Sequence, residues 1–445
     1  MTPTKTQPPT YELRGGPDGP EQEIPDVLND GTRTHRRPWS VRTIPHGVAF
    51  WVVALAFLFN MAFSAVPTPL YVLYQQRDHF SQFMVTIVYA VYAVGVIASL
   101  FLAGHVSDWV GRRKVLALAL LVNVVSAVLF ILFPSLPGLI MARIVSGISV
   151  GLTTATATAY LTELHERARP TDSNRRGQVV AAASNLGGIG IGPLIAGLLA
   201  AFAPAPLRLP YLVFGLLLAG LALLVAVGPE TAGRQIPRPH WRPQRVAVPA
   251  RARGQFFAAT FAGLAAFAVF GVFNSLVPSF LLGTLHVTSH AVAGAVAFSA
   301  FAAAAVAQIA TSGWANRLLL RRSVPLLLVG LALFAGGMWL SSLAMFVIGG
   351  IVTGAGAGLV FRGALVAAGN TAPPESKAEV LAGFFLGAYG GLSVPVIGLG
   401  IATSYAPARD VMLVFAALVA AAIALSVRAV TRNAELATEA FSSSR

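Results

Sequence analysis

Apolar residues in this chain gather in long unbroken runs, not in the narrow stripes of a surface helix or the alternation of a strand. Twelve such runs stand at roughly 46–74, 84–107, 114–133, 137–163, 176–203, 208–228, 255–285, 290–313, 323–343, 345–371, 378–404 and 408–430. Each is long enough for the ~20 residues that a bilayer-spanning helix needs. None shows the period of two that strands of a transmembrane barrel require. Proline cannot donate a helix hydrogen bond. Pro67 and Pro69 therefore predict a bend in the first run, Pro193 in the fifth, Pro278 in the seventh and Pro395 in the eleventh. The longest polar break, Pro229 to Gly254, separates six runs from six. The pattern predicts an all-α integral membrane protein with twelve transmembrane helices in two six-helix bundles, 44–228 and 255–431. A basic linker at 229–254 joins them, and tails at 1–43 and 432–445 flank them. The first tail scatters prolines among polar residues and has no short apolar core, so it reads as disordered chain and not as a signal peptide.

Composition removes the soluble alternatives. The chain is 56% hydrophobic and 11% charged, where a soluble domain carries about 25% charged residues. A net charge of +14 would suggest nucleic acid in a soluble chain; in a membrane chain it marks the cytoplasmic loops. All but five of the 31 Lys and Arg fall in the tails and on one set of loops. Arg77, Arg208 and Arg409 lie on the opposite loops, and Arg143 and Arg362 lie within runs. The bias predicts that both termini are cytoplasmic, in a cell membrane. There is no cysteine, so no disulfide, Cys-ligated metal or Cys redox site is expected. No Gly-Lys dipeptide is present, so there is no Walker A loop for ATP. No cluster of His, Asp and Glu suggests a metal enzyme, and the tails offer no folded module for a sensor. We expect no enzyme activity, no cofactor and no nucleic-acid partner.

Between the second and third runs stands Gly104 to Leu116, GHVSDWVGRRKVL, one acid and three consecutive cations bracketed by glycines. It resembles the helix 2–3 loop of the major facilitator superfamily of transporters. Two further stretches resemble the same family: Leu139 to Gly151, with Arg143 four residues before Gly147, and Gly188 to Gly197, GIGIGPLIAG, similar to the antiporter motif with Ala196 for one glycine. The resemblance implies the major facilitator fold, with inverted repeats within each half, and a secondary transporter most similar to the family's twelve-span drug and small-molecule exporters. Substrate would be a small molecule, protons the coupling ion, and the unit a monomer. In the family the acid, here Asp108, caps the start of helix 11, near Ala378 to Leu381; Arg112 and Glu163 would complete a gating charge cluster with Gly104 and Gly111. The alternative is a solvated basic turn. Gly188, Gly192, Pro193 and Gly197 are implicated in antiport by the same resemblance. The second half carries an eroded copy of the turn, Ser312 to Arg322, with Asn316 in place of the acid.

Arg143 and Arg362 are costly inside a bilayer unless paired or snorkelling. For Arg143 the family implies a place at the cavity, bonded to helix 1 and contributing to proton coupling. The alternative is a partner for carbonyls freed near Pro67 and Pro69. Arg362 either faces the cavity or snorkels towards headgroups. All seventeen acids lie in tails, loops or run ends, so antiport lacks an obvious proton carrier; Asp78 is one candidate. Two arginines and no acid favour neutral, zwitterionic or anionic substrates over permanent cations. Residues suited to line a cavity for amphipathic molecules are Asn60, Ser64, Tyr71, Tyr92, Asn185, Asn274, Gln308, Phe385 and Tyr389. Each has a competing role in helix packing. Uptake or exchange of an organic anion or sugar is the alternative function.

Overall fold

A computed structural model describes residues 44–170, 175–232, 242–243, 248, 250–372 and 377–442. The predicted tail 1–43 and much of the linker lie outside these residues. Among the described residues, twelve helices are long and apolar enough to cross a membrane. They are α1 His46–Asp78, α2 Gln82–Ala103, α3 Arg112–Leu132, α4 Leu136–Ala168, α5 Arg175–Phe202, α6 Leu209–Ala226, α7 Arg253–Ser275, α8 His290–Ala310, α9 Asn316–Trp339, α10 Leu343–Gly369, α11 Lys377–Ala402 and α12 Ala408–Ser442. The last helix runs past the limit of 431 set by hydropathy. Its end, from Asn433, is rich in Ala, Glu and Leu, which favour helix whether or not they enter lipid.

Two of the four bends expected at prolines are breaks in the helix. In α1 the α-helix stops at Ala65 and resumes at Tyr71 after a tight turn over Thr68–Leu70. After α7 the chain breaks at Leu276 and a short helix, Val277–Gly283, continues it. Pro193 and Pro395 remain inside continuous helices.

Large apolar side chains on the outside identify the surrounding solvent. Leu216, Leu223, Leu418 and Leu425 are 67%, 72%, 65% and 68% exposed, a surface that only lipid makes favourable.

The two halves use one packing scheme. In the first, α1 lies on α4, α5 and α6, α2 on α4, and α3 on α4 and α6; in the second, α7 lies on α10, α11 and α12, α8 on α10, and α9 on α10 and α12. The halves meet along α5–α8 and α2–α11, which are equivalent pairs under this repeat.

Lipid gives helices no hydrophobic reason to associate, so close backbone approach must hold them. At the α2–α4 crossing, a Cβ on Gly95 would collide with the Ile144 carbonyl, and one on Gly147 with the Tyr92 carbonyl. The same device recurs where Gly354 meets the Ala300 carbonyl, between α10 and α8.

Gly147→Ala should therefore separate α2 from α4 and cost about 1–3 kcal/mol, the usual range for overpacking. A thermal unfolding midpoint in detergent clearly below that of the parent is expected. Gly187→Ala is the control: its Cβ would meet nothing within 4 Å, so its midpoint should not fall.

Candidate functional site

A cavity of about 260 Å³ lies between the halves. Its first-half wall carries most of the polar groups, Ser64 from α1, Tyr89 and Tyr92 from α2, Arg143 from α4, and Gln178 and Asn185 from α5, set among apolar residues such as Met61, Val150 and Leu186. Its second-half wall is aromatic: Phe267 and Phe270 from α7, Phe301 from α8, Phe361 from α10, and Phe385 and Tyr389 from α11. Phe270 stacks on Phe301 with centroids 4.9 Å apart, and Phe267 meets Phe361 at 4.7 Å and Tyr389 edge-on at 5.4 Å. Asn274 and Gln308 put amides into this wall. Among the described residues no acid lines the cavity.

Arg143 is 2% exposed. Its Nη1 donates to the Ser64 carbonyl at 2.6 Å. That carbonyl belongs to the last turn of the broken α1, where helix carbonyls lack their normal partners. The guanidinium also lies over the rings of Tyr92, at 4.5 Å, and Tyr89, at 5.4 Å. Both readings of Arg143 thus describe one arrangement, in which it binds a carbonyl beside Pro67 and faces the cavity.

The other residues proposed for the cavity divide. Ser64, Tyr92, Asn185, Asn274, Gln308, Phe385 and Tyr389 line it. Asn60 does not: it is buried and bonds Ser149, Thr153 and Asn123 at 2.8–3.2 Å inside the first half. Tyr71 is also buried outside the lining. Arg362 does not face the central cavity either. It donates to the carbonyls of Gln308, at 2.7 Å, and Ser312, at 3.1 Å, at the end of α8. A helix C-terminus attracts a cation, and these two carbonyls stand at the C-terminal end of α8. Asp78 is held by Arg77, at 2.7 Å to its Nε, on the opposite face from the linker.

The cavity continues into a wider vestibule of about 780 Å³ on the face that carries the Gly104–Leu116 turn. Thr154, Thr158, Leu365 and Phe385 line both spaces. On the opposite face the halves are tied together. Thr68 Oγ1 donates to the Asn274 carbonyl at 2.9 Å, Ser279 Oγ to Gln75 Oε1 at 3.3 Å, and Ser393 Oγ to the Ala90 carbonyl at 3.1 Å. The glycines proposed for antiport pack here and deeper. Gly188 and Gly192 fit against the Leu58 and Ala62 carbonyls of α1, and Gly197 against the His290 carbonyl of α8. Gly294 of α8 in turn sits on the Pro193 carbonyl.

The charge cluster forms, with one exception and one addition. Arg112 pairs with Asp108 at 2.5 Å and with Glu163 at 3.0 Å. The expected cap of α11 by Asp108 is not made among the described residues. Asp108 and Leu381 both line the open vestibule, and Glu379 already supplies an acid to the first turn of α11. The addition is Glu230, just after α6, which sequence reasoning left in the linker. Its Oε1 accepts from the backbone N–H of Arg112 at 2.8 Å, Thr231 at 3.1 Å and Ala232 at 3.2 Å. It sits at the start of α3, where an acid is favoured. Gly111 beside it has φ +117°, and a Cβ there would collide with the Glu230 carboxylate. Arg113 donates to the Gly228 carbonyl at 3.0 Å and Thr231 Oγ1 to Glu163 at 2.5 Å, so the turn also grips the start of the linker. The signal was the Pro-Glu-Thr at the end of the sixth run, an acid standing where a basic turn needs a partner. Gly104 closes α2, its N–H donating to the Leu100 carbonyl at 3.1 Å.

Comparisons with known proteins agree on the fold. The family model described as Major Facilitator Superfamily matches residues 52–320. The arabinose-proton symporter of Bacillus subtilis (strain 168) is 34% identical over 83 residues, 19% of this chain; the match spans 18% of the symporter's length. Among solved structures, the nucleoside transporter NupG superposes with a TM-score of 0.67 at 13% identity, covering 86% of this chain and 99% of that one. A bacterial homologue of the human lysosomal transporter Spinster, in an inward-facing and unoccupied conformation, gives 0.62 at 16% identity, covering 87% of this chain and 98% of that one. The human organic anion transporter MFSD10 (TETRAN) gives 0.62 at 17% identity, covering 86% of this chain and 100% of that one. With its family match spanning more than half of its length, the chain belongs to the Major Facilitator Superfamily and is a twelve-helix, multi-pass membrane transporter.

Proposed function

We propose that this transporter exports small amphipathic molecules by proton-coupled antiport with alternating access, as a monomer in the cell membrane with both termini cytoplasmic. The observation that carries the reading is the cavity: an aromatic wall facing a polar one, with a buried arginine and no acid among the described residues. Such a lining suits a flat apolar body with a few polar groups and disfavours a permanent cation.

The cation bias of the loops supports placing the open vestibule in the cytoplasm, which makes this conformation inward-open. The likeness to an inward-facing neighbour accords with it. Loading from the cytoplasm followed by closure of that face is export. In this state Asp108 is occupied by Arg112, and the cluster of Arg112, Glu163 and Glu230 holds α2, α3, α4 and the head of the linker as one body. Rocking that body over the cavity would bring Asp108 to the start of α11 and close the cytoplasmic face. The antiport reading rests on the Gly188–Gly197 motif, which packs α5 against α1 and α8. The stretch similar to an arabinose-proton symporter favours a second reading, proton-driven uptake of a sugar or organic anion.

The sign of the coupling separates the two. In antiport, protons leave an acidic lumen as substrate enters. Proteoliposomes with an acidic interior should therefore accumulate 1-naphthamide, a neutral amphipathic probe; accumulation only when the outside is acidic would establish symport and refute export. Asp108→Asn should slow transport ~tenfold, about 1.4 kcal/mol of barrier, with normal membrane yield; parental rates would remove the gating role. Glu230→Ala leaves three backbone N–H groups without their acceptor. A loss of about 1–3 kcal/mol of stability is expected, read as a lower thermal midpoint in detergent.

A further inference from the structure

A second recess, of about 120 Å³, opens beside the central cavity. At ~30 Å³ per water it holds about four waters, or one small ionic group. Gln178, Ala182 and Gln308 line both spaces, so the two are continuous. Two guanidinium groups converge on it from opposite halves. Arg175, at the start of α5, donates from Nη2 to Ser312 Oγ at 2.6 Å. Arg362 of α10 donates from Nη2 to the carbonyl of the same Ser312 at 3.1 Å. No acid lines the recess among the described residues. Carbonyl and hydroxyl dipoles orient the two cations, and among the described residues lining the recess no carboxylate neutralises them. Two like charges from opposite bundles also oppose each other's approach.

We propose that Arg175 and Arg362 form an anion subsite at the mouth of the cavity, which takes the carboxylate, sulfonate or phosphate group of an amphipathic substrate whose apolar body lies on the aromatic wall. Guanidinium groups suit such oxyanions, which accept two parallel N–H bonds. Gln178 and Gln308 stand at the junction between recess and cavity and supply amides to the same oxygens or to the neck of the substrate. Because Arg175 belongs to the first half and Arg362 to the second, a bound anion also bridges the halves. It removes the repulsion between them and favours closure of the face that is now open. The empty site resists closure through the same repulsion, which suppresses cycling without cargo. The inference rests on the export reading and adds to it the charge of the cargo and its point of attachment.

The test uses full-length protein in phosphatidylcholine nanodiscs and two probes on one ring system, 1-naphthoate and the neutral 1-naphthamide. Calorimetric titration should show naphthoate binding about tenfold more tightly or better, as a charge-assisted contact implies. Arg175→Gln should abolish that preference and leave naphthamide affinity within about twofold of the parent, since Arg175 is exposed and its bond to Ser312 is a surface contact. Arg175→Lys should keep part of it. An unchanged preference in Arg175→Gln overturns the proposal, as does loss of the preference in Arg143→Gln alone, which would put the anion on the deep arginine. Binding of neither probe overturns it too. In discs containing phosphatidylglycerol, a preference that disappears assigns the recess to a lipid headgroup and overturns the substrate assignment. Vesicle transport of both probes keeps the two readings apart. Export with an unaltered charge preference in Arg175→Gln fails the subsite alone, whereas binding with the charge preference and no transport fails the export reading alone.

Discussion

The bond from Arg143 to the Ser64 carbonyl, 2.6 Å long, ties a broken helix to the cavity it borders. Inside a bilayer every polar group needs an internal partner. The prolines that bend α1 leave carbonyls in its last turn without theirs, and a buried arginine leaves a charge without its hydration. Each defect answers the other. The rings of Tyr89 and Tyr92 take up part of the remaining charge through their faces. The site is polar because the helix is bent, and the bend is tolerable because the site is polar.

Almost all of the fold was legible in the sequence, because lipid makes hydropathy nearly sufficient. Run length gives the spans, loop cations suggest their orientation, and three motifs of the first half give the family. The candidate site was legible only in part. Asn60 and Asn185 look alike in sequence, each an amide in an apolar run. One is tied up with Ser149, Thr153 and Asn123, while the other reaches the cavity. Only packing distinguishes them, since the choice depends on which face of the helix each residue occupies. Glu230 was missed for a different reason. Its work lies in accepting backbone N–H groups of a turn remote in sequence, and backbone donors carry no compositional mark. The aromatic wall of Phe267, Phe270, Phe301 and Phe361 was likewise hidden, because phenylalanine is common in any apolar run.

Arg362 shows how the two repeats have diverged while keeping their geometry. Helices α4 and α10 occupy equivalent positions, and each sends one charged side chain to the turn at the end of the preceding hairpin. From α4 comes an acid, Glu163, which meets the guanidinium of Arg112 at 3.0 Å. From α10 comes a base, Arg362, which meets the carbonyls of Gln308 and Ser312. The sign has reversed with the partner: in the first half the turn supplies cations, and in the second the helix end supplies the negative pole of its dipole. Asn316, standing where the acid would be, bonds the Gly363 carbonyl at 3.1 Å and needs no cation. Among the described residues the second turn is therefore held by neutral acceptors that meet Arg362 from its own half and Arg175 from the other. The first is held by a charge cluster that extends to the head of the linker. Among the described residues an exchange of carboxylate partners is available at the first turn, where Arg112 holds both Asp108 and Glu163. A molecule entering through the vestibule passes the carboxylates of Asp108 and Glu163, on the first-half side, before it reaches the aromatic wall of the second.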